Sequence, residues 1–318
     1  MGLQLHKNTE DFKDLITVTS EYLGLDQTII EKDYWITHSL YELSKSEYID
    51  HVVIKGGTSL SKCYEDLHRF SEDIDIALLA SNMTNSQIKR TMSKVEKIMS
   101  AKLSLELFND ECKSGEYRYT QFSYPSIIIG YLTELHPSIR FEISSFMNPH
   151  PYKKKELCSM IGNYLYIKEM QDVLGQYDLI KFNLNVLAIE RTVVEKIASL
   201  IRMSYESNLS ELLSKTRHLY DLYMTYNLVK DFYNNKLKFV EMVMIVKAAE
   251  LKSRFKEKYP VEKSWMEAPL FNLLEDERVE IAYRDYFGAE FVYGKLPDYK
   301  QVKSIFYELH NLFSLYEI

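Results

Sequence analysis

The chain has 318 residues, 46% of them hydrophobic, and 46 Asp and Glu outweigh 39 Lys and Arg to give a net charge of −7. That size and apolar content suit one large globular domain or two small ones, and the acid excess excludes wholesale coating of nucleic acid by a basic surface while permitting a local basic groove. No run of about 18 apolar residues, no leader-like start and only three scattered cysteines (Cys63, Cys112 and Cys158) read as a reduced, cytoplasmic protein with no membrane span, no disulfide framework and no zinc site.

Asn8 or Thr9 can cap a first helix carrying Phe12, Leu15, Ile16 and Val18. A second helix is expected from Asp26 to about Leu43, with Ile29, Ile30, Tyr34, Trp35 and Leu40 as its buried stripe. The charged residues Glu31, Lys32 and Asp33 in that helix read as face alternation around residues packed beneath the turn that follows. Val52 to Ile54 then form a short apolar run leading to Gly56 and Gly57, with a short helix expected over Ser59 to Tyr64.

Asp73-Ile74-Asp75-Ile76 alternates carboxylates with branched apolar residues. In a strand, Asp73 and Asp75 share one face while Ile74 and Ile76 enter the core. Two carboxylates that close repel unless one takes a proton or both share a cation. Mg²⁺, with Mn²⁺ as the substitute, is the hard ion that a pair of carboxylates holds together with substrate phosphates. The glycine pair permits positive φ and close backbone approach, and amides at the start of the following helix make an anion site to which Thr58 and Ser59 add hydroxyls. A phosphate cradle beside a metal-holding acid pair is the equipment of phosphoryl or nucleotidyl transfer. A lysine-bearing P-loop is excluded, because no Gly-Lys-Ser/Thr ends the turn.

The stretch from Lys55 to Asp75 resembles the signature of the AbiEii/AbiGii toxins, nucleotidyltransferases of bacterial type IV toxin–antitoxin and phage-defence systems. Lys55, Gly56, Gly57, Thr58, Leu60 and Lys62 match its first half. Arg69, Phe70, Ser71, Asp73, Ile74 and Asp75 match its second. The resemblance implies an α+β fold, in which a DNA polymerase β-like mixed-sheet nucleotidyltransferase domain precedes a mainly helical domain. It also implies nucleotide binding by Gly56, Gly57, Thr58, Ser59, Lys62, Arg69 and Ser71, and catalysis by Asp73 and Asp75 with a metal. A nucleoside triphosphate would be the donor, RNA (a tRNA 3′ end) the acceptor, and a cognate antitoxin the partner.

Further along, a polar loop at Ser81 to Asn85 precedes an amphipathic helix of about twenty residues through Met92, Val95 and Met99. Strands are expected over Tyr117 to Tyr124, Ser126 to Leu132 and Pro137 to Ile143. On the last, Arg140 and Glu142 point away from Phe141 and Ile143. Glu142 is either a third metal-side carboxylate, able to act as base, or a plain surface acid. Lys153-Lys154-Lys155 reads as a solvated loop, and Tyr164 to Met170 and Leu179 to Leu187 as extended connectors.

From Ile189 to Arg202 one helix is expected, with Val193, Val194, Ile197, Leu200 and Ile201 apolar. Its Thr192, Glu195, Lys196 and Leu200 resemble a second family motif, which implies that Lys196 binds nucleotide phosphate; the residues alone also allow a snorkelling surface lysine. Arg217, Asp221, Leu222 and Tyr223 resemble a third. There Asp221 would stand near the nucleotide or orient Lys196, and Arg217 would hold it or touch phosphate; an i, i+4 surface pair is the plain alternative. Long helices over Phe239 to Tyr259 and Pro297 to Leu315 complete the chain. The division expected is residues 1–165, the nucleotidyltransferase domain, and 166–318, the helical domain, with the active site in the cleft they form. Transfer to a protein side chain, or a non-catalytic nucleotide-binding module, are the competing functions.

Overall fold

A computed structural model of the chain describes residues 4–64, 67–101, 106–113, 115–128, 137–205, 209–252 and 263–318. It parts into two compact units. One comprises Met1–Tyr64 and Phe70–Leu187, the other Glu65–Arg69 and Ala188–Ile318.

The first unit opens with α1 (Thr9–Leu23), whose first turn is capped by the Asn8 side chain accepting from the Asp11 amide. It ends at Gly24, whose φ of 66° is the left-handed cap that glycine adopts without strain. The Asp26 carboxylate accepts the Thr28 amide and starts α2 (Gln27–Ser44). Ile29, Ile30, Tyr34, Trp35 and Leu40 are buried as their spacing predicts. So are Glu31, Lys32 and Asp33, which overturns the simple face alternation. Burying charge is costly unless it is paired or hydrogen-bonded, and each of the three is. Glu31 accepts the Ile127 amide at 2.7 Å and the Ser126 hydroxyl at 2.6 Å. Lys32 meets Glu72 at 2.5 Å. Asp33 takes the Lys62 ammonium on one oxygen and the Met160 amide, at 2.7 Å, on the other. One helix thereby fastens four separate segments, at Lys62, Glu72, Ser126–Ile127 and Met160.

Among the described residues seven strands form one mixed sheet: β1 (Val52–Lys55), β2 (Asp73–Leu78), β3 (Glu106–Lys113), β4 (Tyr117–Ser123), β5 (Ser138–Ser144), β6 (Tyr152–Leu157) and β7 (Phe182–Leu187), in the order β3-β4-β5-β2-β1-β7-β6. β1 runs antiparallel to β2 and parallel to β7, and β2 runs parallel to β5. Helices α3 (Gly56–Cys63), α4 (Asn85–Ala101), α5 (Met160–Ile167) and α6 (Gln171–Gln176) complete the unit. Ile54, Ile74, Ile76, Phe141 and Ile143 are all buried, so the central strands carry the core on one face.

Several expectations change here. The segment from 182 to 187 is not a connector but β7, hydrogen-bonded beside β1. The first unit therefore runs to Leu187, and the break expected at 165/166 falls instead at 187/188. Tyr164 lies in helix α5. Lys153, Lys154 and Lys155 stand on β6, an edge strand where exposed lysine discourages pairing with another chain. The expected strand over Ser126 to Leu132 is unpaired through Ile128 and otherwise lies outside the described residues.

The second unit is helical, as expected. Its helices include α7 (Ile189–Tyr205), α8 (Leu209–Leu213), α9 (Thr216–Tyr226), α10 (Lys230–Asn234) and α11 (Lys236–Lys252). The C-terminal helix, Tyr299–Tyr316, starts on an Asp298/Gln301 capping box. Among the described residues no helix is long and apolar enough to cross a membrane.

The Asp33–Lys62 pair is buried on both sides, with side-chain exposures of 3% and 8%. Asp33→Ala takes the carboxylate from a buried ammonium and the acceptor from the Met160 amide. The expected loss is about 3 kcal/mol, read as a lower urea midpoint at unchanged m-value.

Candidate active site

The acids and the glycine turn meet in the first unit because of strand register. β1 ends at Lys55, and its residues pair with β2 so that Lys55 stands opposite Asp75. The chain then turns into α3 at Gly56, whose φ is +71°. A Cβ built on Gly56 would lie 1.9 Å from the Asp75 Oδ2 atom. No side chain fits that gap, and the positive φ would strain any L-residue as well. The Gly56 backbone, at the start of α3, thus lies directly against the Asp75 carboxylate.

Register also places what lies beside the acids. Across the parallel β2–β5 pair, Asp73 faces Arg140 and Asp75 faces Glu142. Paired residues on neighbouring strands share a face about 5 Å apart, so all four side chains leave the sheet on the same side. Arg140 donates from Nε to Asp73 Oδ1 at 2.6 Å, and its Nη2 lies 3.9 Å from Glu72. Among the described residues no three His, Cys, Asp or Glu side chains gather closely enough to hold an ion by themselves. The arrangement is an acid pair and a cross-strand third acid, not a closed cage.

Several residues read as nucleotide-binding prove to be occupied within the protein. The Thr58 hydroxyl donates to the Asp73 carbonyl and lies 3.2 Å from the Ser71 hydroxyl, and the Ser59 hydroxyl donates to the Gly56 carbonyl at 2.9 Å. Both residues are buried. They brace the turn against β2 instead of pointing hydroxyls at a ligand. Lys62 is turned onto α2, bonding Asp33 and, at 2.6 Å, Thr37; its ammonium is a tie, not a phosphate contact. Gly56 and Gly57 stand where β1 gives way to α3.

The remaining predicted residues gather in the second unit. Asp221 on α9 is fully buried and accepts two hydrogen bonds from Arg69, Nε to Oδ1 at 2.5 Å and Nη2 to Oδ2 at 2.8 Å. Lys196 on α7 meets its Oδ2 at 2.8 Å. Arg69 therefore holds Asp221, in the place the third motif gives to Arg217. The Arg69 Nε and Nη2 meet the two carboxylate oxygens side-on, a two-pronged, charge-assisted fit. Lys196 is only 6% exposed, which disposes of the snorkelling alternative. The cluster also contains His218, its Nδ1 3.2 Å from Lys196 Nζ, a residue to which sequence reasoning assigns no role. Burial and the adjoining cations, Lys196 foremost, push the His218 pKa well below its usual value. It stays neutral, and Lys196 donates to its Nδ1. Burial alone would raise the Asp221 pKa; the Arg69 and Lys196 charges outweigh it and bring the carboxyl down to about 2.

A model of the nucleotidyl transferase AbiEii toxin, type IV toxin–antitoxin system, matches residues 38–302. The chain belongs to the AbiEii nucleotidyltransferase toxin family. A match of that extent covers the glycine turn, both acids, Lys196 and Asp221 together. Among solved structures, the MenT4 nucleotidyltransferase toxin of Mycobacterium tuberculosis is similar at a TM-score of 0.51 and 15% identity, over 95% of this chain and 98% of that one. This likeness shows the α+β nucleotidyltransferase fold. A suspected nucleotidyltransferase from H. pylori aligns over 84% of this chain and 99% of its own at 14% identity, with a TM-score of 0.33. A search of curated proteins finds no match.

Two outcomes follow for this AbiEii-family chain. Gly56→Ala forces the turn away from Asp75 and should cut nucleotidyl transfer about a hundredfold or more, the cost of misplacing reacting groups by roughly 1 Å, while circular dichroism stays that of a folded protein. Asp221→Asn leaves Arg69 and Lys196 buried without their counter-charge and should destabilise by about 3–5 kcal/mol near neutral pH. The wild-type carboxyl titrates below its ordinary 3.8. Its contribution is therefore complete above that pH and fades as the pH falls toward 2. Urea unfolding of both proteins should show the gap between them narrowing only in that acid range.

Proposed function

We propose that this AbiEii-family nucleotidyltransferase moves a nucleotide from a nucleoside triphosphate to an RNA acceptor, a tRNA 3′ end, using Mg²⁺ or Mn²⁺. The observation that carries this reading is the contact of the Gly56 backbone with the Asp75 carboxylate, which sets an anion-binding helix start against a metal-binding acid. The donor set suits a hard cation: two same-face carboxylates on β2, with phosphate oxygens of the substrate completing the coordination. When bound, such an ion would neutralise charge on the triphosphate and on its leaving group.

The chain's own residues supply the rest. The amides of Gly56 and Gly57 receive the triphosphate, and the inward hydroxyls of Thr58 and Ser59 keep that turn rigid. Asp73 and Asp75 are the metal ligands. Glu142, across from Asp75, is the group proposed to complete that acid set and to take the proton from the attacking hydroxyl. That hydroxyl bonds to the α-phosphorus as the bond to the pyrophosphate oxygen breaks. Lys196 is proposed to meet nucleotide phosphate, with Asp221 and His218 fixing the direction of its ammonium. Arg69 is assigned to hold Asp221 and not to bind nucleotide directly. A cognate antitoxin restrains the enzyme, as the type IV family designation implies.

Incubating the protein with α-labelled nucleoside triphosphates, total tRNA and cell lysate tests this. Label should appear in RNA of tRNA size, and Asp75→Ala or Lys196→Ala should reduce it by two orders of magnitude or more. Label in protein would replace the RNA acceptor with a side chain. Transfer undiminished in both variants would contradict the site.

A further inference from the structure

β5 presents Arg-x-Glu to the Asp-x-Asp of β2. In the parallel register Arg140 faces Asp73 and Glu142 faces Asp75. The sheet thus sets one opposite-charge pair beside one like-charge pair. The opposite-charge pair contains its own counter-charge, with Arg140 Nε on Asp73 Oδ1 at 2.6 Å. A metal ion on Asp73 would draw on the same carboxylate charge.

The surroundings of Arg140 make it the member able to move. Its side chain is 36% exposed, against 15% for Glu72 and 23% for Asp73. Glu72 is pinned from beneath by Lys32 of α2, at 2.5 Å with a side-chain exposure of 3%. Glu72 therefore stands between two cations, bonded to one and 3.9 Å from the other. It offers the guanidinium a second anion a short swing away. Gln121, across from Arg140 on β4, brings no charge of its own.

The geometry points to Arg140 as a positioning residue that governs how readily Asp73 yields its carboxylate to a divalent cation. Arg140 competes with the ion for Oδ1, and Glu72 receives the guanidinium when the ion wins. Metal loading is then an exchange of partners: Asp73 trades Arg140 for the ion, and Glu72 changes from sharing Lys32's charge alone to sharing Arg140's as well. No bond is made or broken beyond these ionic contacts. This inference rests on the metal reading of Asp73 and Asp75 and adds a residue that lies outside all three family motifs.

Mn²⁺ binding to the full chain, followed by electron paramagnetic resonance of the free ion, is the test. Arg140→Gln should tighten Mn²⁺ binding about tenfold, the scale of one partly screened charge at contact distance. Arg140→Lys, which keeps the charge, should stay within about threefold of wild type. Glu72→Gln removes the alternative acceptor and should weaken Mn²⁺ binding several-fold, in the opposite direction. A role confined to folding stability leaves metal affinity unmoved in both variants. Wild-type binding with Arg140→Gln equal or weaker, in protein whose thermal melt is intact, overturns the inference and leaves the metal reading standing. Absence of Mn²⁺ uptake by wild type and every variant overturns both.

Discussion

The structure depends on one close approach: the backbone at Gly56 lies where a side chain would collide with the Asp75 carboxylate. Everything else in the first unit serves to keep that approach. β1 and β2 are adjacent and antiparallel, so the end of one and the start of the other coincide. Thr58 bonds the Asp73 carbonyl and ties α3 to the acid strand. Lys62, one turn further on, anchors the same helix to α2 through Asp33. The turn cannot relax without breaking a buried ion pair, a cost that proteins seldom recover elsewhere.

The two units solve the problem of buried charge differently. In the first, α2 spreads three charged side chains outward, each to a different segment, so that polar contacts do the work of fixing loops around a sheet. In the second, one carboxylate, Asp221, collects two cations from distant positions in the chain. A neutral imidazole, that of His218, also lies against the lysine of this cluster. A residue such as Asp221 is thus both the clamp of its unit and the reason that Lys196 can remain charged while buried. Burial lowers the pKa of that lysine, and Asp221 opposes the shift. Replacing it removes the charge that opposes that shift.

Much of this is legible in the sequence. Alternation of Asp and Ile puts both acids on one face of a strand, and the glycine pair before a short helix announces the turn. Residue resemblance supplies Lys196 and Asp221, and the structure brings them within 2.8 Å of each other. What cannot be read is who partners whom. Lys62 and Arg69 carry the charge expected of phosphate ligands, yet their partners, Asp33 and Asp221, lie 29 and 152 residues away. Spacing along one chain says nothing about such pairs. β7 does carry a strand signal, Phe182, Leu184 and Val186 alternating with Asn183 and Asn185, which the reading as a connector passes over. Arg140 is visible as the neighbour of Glu142 but acquires meaning only through the β2–β5 register; the matching Asp-x-Asp and Arg-x-Glu patterns are the signal that could have found it.

The most direct measurement is a crystal structure of the chain with a non-hydrolysable nucleoside triphosphate and Mn²⁺, the ion located by its anomalous scattering. The account predicts the ion on Asp75 and Asp73, with triphosphate oxygens on the Gly56 and Gly57 amides. A triphosphate bound elsewhere, or an ion remote from β2, would contradict it.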